Sequence, residues 1–189
     1  MQELEELKRN MEQQRPVDWD LLPDIPLYMD QVVSYLRRQT FHLNQDGEAP
    51  AITSAMVNNY IKDGLLPRAK GKRYGREHLC ELTAIALLKN VLSVRDMKLL
   101  LEHLNREDGE QAFYEDFCRR VDEGFSACAS AIDTGIGEDE LASHALDLAI
   151  ASCAARLACE AMLSIIRSCE PQGDEKKEKK LKSEKAEAD

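Results

Sequence analysis

Between Thr53 and Tyr74 a short polar-faced helix, a helix stop and a basic connection follow one another directly, and this order restricts the fold more than any other feature of the sequence. Thr53 is a good N-cap for a helix over 54–63, and Gly64 supplies the left-handed residue that can close it. Leu65-Leu66-Pro67 then stops the helix, because proline disfavours the helical conformation in the residue before it. The segment Arg68-Ala69-Lys70-Gly71-Lys72-Arg73-Tyr74 is too charged for a core and has Gly71 at its centre, which predicts a two-stranded ribbon or a tight loop.

The flanking sequence reads as helices. Leu4, Leu7 and Met11 give a short amphipathic helix or arm over 3–13, and Pro16, Pro23 and Pro26 break the chain after it, with Leu21-Leu22 expected to tuck into the core. Leu27, Val32, Val33, Leu36 and Leu43, with Tyr28, Met29, Tyr35 and Phe41, predict one helix from Leu27 to the loop signal Asn44-Gln45-Asp46-Gly47. Arg76 to about Asn90 is a further helix, and Ser93 with Asp96 resembles a capping box opening another to Leu104. Nine Gly, six Pro and 5% aromatic residues agree with helices on short connections and almost no sheet. The expected class is all-α with at most a minimal β wing.

Charge is distributed unevenly. The chain carries a formal −10, which opposes nucleic acid unless positive charge is concentrated locally. It is: Lys62, Arg68, Lys70, Lys72, Arg73 and Arg76 stand against Asp63 alone over 62–76, a net of +5 that leaves −15 elsewhere. On a helical wheel Ser54, Ala55, Asn58, Asn59 and Lys62 share one arc and Met56, Val57, Tyr60 and Ile61 the other. That division lets one side be held by a core while short polar groups face base edges and phosphates, Asn being able to pair bidentately with adenine. The expected contacts to double-stranded DNA are therefore Thr53, Ser54, Asn58, Asn59 and Lys62 from the helix, with Arg68, Lys70, Lys72, Arg73 and Arg76 as basic contacts to the backbone and Tyr74 beside them at the wing's end.

The run Met56-Val57-Asn58-Asn59-Tyr60-Ile61-Lys62-Asp63-Gly64-Leu65-Leu66-Pro67 resembles the second helix and turn of the MerR-type winged helix-turn-helix. Lys72-Arg73-Tyr74 is similar to the end of that family's wing, and Leu87 to Leu104, with Leu92-Ser93-Val94-Arg95-Asp96-Met97, to its paired helices beyond. More closely, Leu22-Pro23-Asp24-Ile25-Pro26-Leu27-Tyr28-Met29-Asp30-Gln31-Val32 together with Asn58-Asn59-Tyr60 resembles DUF1836, an uncharacterised bacterial domain family related to MerR. The resemblance covers about 20–110 and implies a winged helix-turn-helix and a homodimer joined through later helices. Asn58 stands where the MerR pattern usually has Arg, the loop between the first two helices is longer and the wing is shorter.

The organisation read from the sequence is an arm over 1–19, the winged unit over 20–105, a helical dimerisation or effector module over 109–169 and a solvated charged tail over 170–189. Ala112, Phe113, Phe117, Val121 and Phe125 form one stripe of that module, and Gly135-Ile136-Gly137 precedes a last helix to Cys169 that is apolar nearly all round. Such a helix is expected to be buried, at the centre of a bundle or against a partner subunit. Asp147, Arg156, Glu160 and Arg167 argue against a membrane span there, and the N-terminus lacks a signal peptide, so a cytoplasmic chain is expected. The six cysteines show no C-x-x-C spacing and read as reduced, mostly buried thiols, with no metal site and no cofactor expected. A phosphate-cradling glycine loop, a nucleophile elbow and an H-E-x-x-H motif are all missing from the sequence, so no enzymatic activity is expected. The leading functional expectation is a dimeric DNA-binding transcriptional regulator whose 109–169 helices form the dimer or effector module, the existence of an effector being left open by the sequence. The alternative is a helical protein-protein adaptor on the same fold.

Overall fold

The computed structural model describes residues 2–39, 52–104 and 107–169. Among these the chain is all-α, with α1 (Gln2–Glu12), α2 (Met29–Gln39), α3 (Ser54–Lys62), α4 (Arg76–Leu88), α5 (Val94–His103), α6 (Gly109–Ala131) and α7 (Leu141–Cys169), and a 3-10 turn at Trp19–Leu21. Extended pairing among the described residues is confined to two antiparallel bridges, Leu27 with Tyr74 and Lys70 with Arg73. The expected end of the second helix, with Phe41, Leu43 and the Asn44–Gly47 loop, lies outside the described residues, as does the 170–189 tail.

The core is organised around α4. Its residues Leu79, Cys80, Leu82, Ala84, Ile85 and Ala86 are all buried, which requires neighbours on every side. Those neighbours are α2 and α6, while α3 packs on α2. Thr83, buried within this run, donates its hydroxyl to the Leu79 carbonyl at 2.8 Å, so no polar group is left unmatched by its burial.

Local sequence sets the helix starts. The apolar pattern places a helix start at Leu27, but the Leu27 N–H and C=O both pair with Tyr74 at 2.9 Å, so the helix begins only at Met29. Gln31 Oε1 accepts from the Tyr28 N–H at 2.9 Å, the reaching-back half of a capping box. At α5 half of the expected box forms: Ser93 Oγ accepts from the Asp96 N–H at 3.2 Å, while the Asp96 carboxylate takes the Ser93 hydroxyl at 2.7 Å in place of the Ser93 N–H.

One apolar cluster crosses from the first helices into α6 and α7. Phe113, Tyr114 and Cys118 of α6 and Leu163 of α7 join the same core as Val32, Val57 and Leu82. Tyr114 is fully buried and donates to the Val17 carbonyl at 2.9 Å, and its ring lies 6.2 Å from that of Trp19. The Arg76 guanidinium covers the other ring of that pair, 5.2 Å from the Trp19 centroid. The column Arg76, Trp19, Tyr114 and Phe117 thus ties the N-terminal segment, α4 and α6 together. Of Leu21-Leu22 only Leu22 is buried, Leu21 being 70% exposed. Helix α1 buries no residue and lies along α6.

Helix α7 departs from expectation. It is not the centre of a bundle: Leu163 is its single buried residue, with Cys159 and Ile166 half-buried beside it against α5. Arg167 secures this end through Asp96, at 2.6 Å. Leu146, Ile150, Leu157, Met162 and Ile165 remain exposed. The four charges that argue against a membrane span are spread widely enough that α7 is long and apolar enough to cross a membrane by length and composition alone.

Candidate nucleic-acid interface

Burial divides α3 along the line of the helical wheel. Val57 and Tyr60 are buried, Met56 and Ile61 half-buried, and Ser54, Ala55, Asn58, Asn59 and Lys62 exposed. Thr53 Oγ1 accepts from the Met56 N–H at 3.2 Å, satisfying one of the unpaired donors at the helix start. At the other end Gly64 takes φ +71°, and the Leu65 N–H reaches back to the Tyr60 carbonyl at 2.8 Å, the pattern of a Schellman closure. A side chain at Gly64 would meet Lys98 Nζ at 3.1 Å, and that amine approaches the Asp63 carbonyl at 3.5 Å. The polar-faced helix is thereby clamped between α2 and a lysine of α5.

The basic segment is a two-residue hairpin turn. Gly71 and Lys72 have φ of 59° and 61°, and the Arg73 N–H donates to the Lys70 carbonyl at 3.1 Å. Positive φ at both central positions is the signature of a type I′ turn, whose twist suits a tight antiparallel return. Its foot is fixed by the Leu27–Tyr74 bridge and by Arg73, which donates to Tyr28 Oη at 3.0 Å with its guanidinium 5.1 Å over the Tyr28 ring. Below the turn His78 Nδ1 accepts from the Gly75 N–H at 3.2 Å and meets the edge of Tyr74.

The expected contact residues fall into three groups. Thr53, Ser54, Asn58, Asn59, Lys62, Arg68, Lys70 and Lys72 are all exposed. Arg73 is exposed but tethered to Tyr28. Tyr74 and Arg76, by contrast, serve the interior. Tyr74 is 5% exposed, and Arg76 donates to the Leu22 carbonyl at 3.1 Å beneath its stacking on Trp19. Asp24 and Glu77 line a recess of about 500 Å³ at the foot of the turn with Lys70, Arg73, Arg76 and His78, so positive charge there is partly offset while Lys72 projects from the tip.

Tyr28, Trp19 and Lys98 also hold this surface, and sequence reasoning does not find them. Their partners lie 45, 57 and 35 residues away in the chain, so no local periodicity announces them.

A family model described as a domain of unknown function, DUF1836, matches residues 17–117, just over half of the 189-residue chain. The chain belongs to this family. The DUF1836 segment runs from Val17, which accepts the Tyr114 hydroxyl bond, through α2 to α5 and into the first part of α6, so that bond joins the two ends of the segment. It contains α3 and the 70–73 turn; α1 and α7 lie outside it. No curated protein and no solved structure matches the chain.

Proposed function

We propose that the chain is a MerR-like DNA-binding transcriptional regulator, acting in the cytoplasm as a dimer. In this reading α3 enters the major groove and the 70–73 turn acts as a wing on the flanking backbone. The carrying observation is the exposed arc Ser54, Asn58, Asn59 and Lys62, rigidly capped at both ends and followed at once by a turn bearing Lys70 and Lys72. Asn58 and Asn59 are short enough to read base edges from a helix packed close to the groove floor. Arg68, Lys70 and Lys72 supply sequence-independent charge, with Arg73 held at the turn's foot. Tyr74 and Arg76 support the site from beneath.

Selection from a randomised duplex library, followed by fluorescence anisotropy on the enriched sequence, tests this reading. The pair Lys70→Ala and Lys72→Ala should weaken binding to all duplexes and flatten the salt dependence by a slope of about 2, near 0.9 for each phosphate no longer neutralised. Asn58→Ala should cost about 1–3 kcal/mol on the selected sequence and little on random DNA. Failure to enrich any sequence, with affinity indifferent to the lysine pair, would sink the DNA reading and favour the protein adaptor, which the −15 outside the basic island accommodates.

A further inference from the structure

Two buried donors at the foot of the 70–73 turn have no acceptor. His78 Nδ1 accepts from the Gly75 N–H at 3.2 Å, so the neutral ring carries its proton on Nε2, and the charged ring keeps one there as well. That Nε2–H and the Arg76 Nε–H are both buried without a hydrogen-bond partner. The His78 side chain is only 6% exposed, so water does not make good the missing acceptor. Both residues line the recess of about 500 Å³, together with Lys70 and Arg73. The same recess receives the first turn of α4, a 13-residue helix whose leading N–H groups have no helical carbonyl to bond.

We propose that this recess binds the phosphoryl group of a small phosphorylated molecule. Donors without acceptors call for oxygens, and Lys70, Arg73 and Arg76 beside a helix N-terminus call for negative charge on them. The volume exceeds what a phosphate alone fills and falls among small-molecule clefts, roughly 300–1,000 Å³. The chain's own Glu77 marks the place of such an anion. Its carboxylate stands over Gly75, where any Cβ would overlap it, and 3.1 Å from His78 Nδ1. With 54% of it exposed, that side chain is a placeholder that can turn out to solvent and yield to a ligand of higher charge. Asp24, the other carboxylate of the lining, is an acceptor for hydroxyls on the rest of the molecule. Because Lys70 and Arg73 belong to the turn, an occupied recess withdraws positive charge from the proposed DNA surface, although the site itself does not rest on that reading.

The test is isothermal titration calorimetry of the full chain with inorganic phosphate and with glycerol phosphate, at an ionic strength held constant with chloride and with glycerol as the uncharged control. Saturable binding is expected for both phosphates, tighter for glycerol phosphate, and none for glycerol. Glu77→Gln should tighten it by removing the competing charge. His78→Glu keeps an acceptor for the Gly75 N–H, as in an ordinary capping box, and should weaken binding by roughly 10-fold or more, the worth of one charge-assisted hydrogen bond. In heteronuclear NMR of the unaltered chain the His78 Nε2–H resonance should move on saturation, a signal that depends on no variant folding. No saturation by either phosphate, affinity indifferent to Glu77→Gln, or an unmoved His78 resonance would each overturn the inference. Failure of both small phosphates while Glu77→Gln tightens duplex binding would give the seat to a DNA backbone phosphate and overturn the small ligand. Glycerol phosphate binding by a chain that enriches no duplex sequence would support this site and remove the DNA proposal.

Discussion

Lys72 occupies the left-handed conformation without being glycine, and this local cost is tolerated because the two-residue turn requires positive φ at both centres. Lys72→Gly should accordingly stabilise the fold by about 0.5–1 kcal/mol relative to Lys72→Ala in urea unfolding, since both lose the same charge. At Gly64 the sign reverses: φ +71° and the crowding of Lys98 mean that Gly64→Ala should destabilise by about 1 kcal/mol and free the end of α3. The cysteines divide just as sharply. Burial pushes the Cys80 thiol far up and the Cys118 thiol to about 11, whereas Cys153 and Cys169 are exposed. Iodoacetamide at pH 8 should label Cys153 and Cys169 in the native chain, with Cys80 and Cys118 reacting only on unfolding, as followed by mass spectrometry. The expectation of buried thiols thus fits two of the six. Composition identifies a cysteine as apolar but cannot say which helix side will be covered.

Among the helices, those whose signals are local are legible in the sequence and those whose surroundings decide are not. Thr53, Gly64 and Pro67 bracket α3 through bonds that span only a few residues, and Ser93 with Asp96 opens α5 in the same way. Helix α7 reads as buried because its sequence is apolar nearly all round, yet a sequence does not reveal whether the neighbour lies in the same chain. What the chain itself supplies is His144 against the Ala131–Asp133 backbone near the start of α7 and, toward its end, a clasp of Leu163 beneath with Arg167 on Asp96. The Ser93 hydroxyl, and then Arg167, hold the Asp96 carboxyl below its ordinary 3.8. A depressed carboxyl contributes fully above its unfolded value and loses that contribution as pH falls through the lower folded one. Hydrogen exchange in the 159–167 segment should therefore speed up as pH drops below about 3.8, relative to α4, and Asp96→Asn should abolish the step. An Asp96→Asn chain that keeps the same pH response would show that the clasp does not depend on this carboxylate.

For the molecule as a whole, sequence patterning suggests a division at 105–109, where a charged stretch separates two helical patterns. The core ignores it: Phe113, Tyr114 and Cys118 enter the cluster built on α4, and the hydroxyl of Tyr114 reaches back to Val17. A chain cut after Glu140 should keep this body folded, since only Leu163, Cys159 and Ile166 would leave the core, at a cost of about 2–5 kcal/mol judged from large-to-small core substitutions. Thermal unfolding should remain a single transition at lower temperature. Tyr114→Phe should cost about 1 kcal/mol, because burial leaves the Val17 carbonyl without its donor. The Val17–Tyr114 bond has a further consequence for how such a chain is assembled. A segment whose ends are fastened together behaves as a cassette, spliced into a longer protein with little rearrangement of the host. What precedes or follows it is then free to diversify, while the polar-faced helix inside keeps its setting.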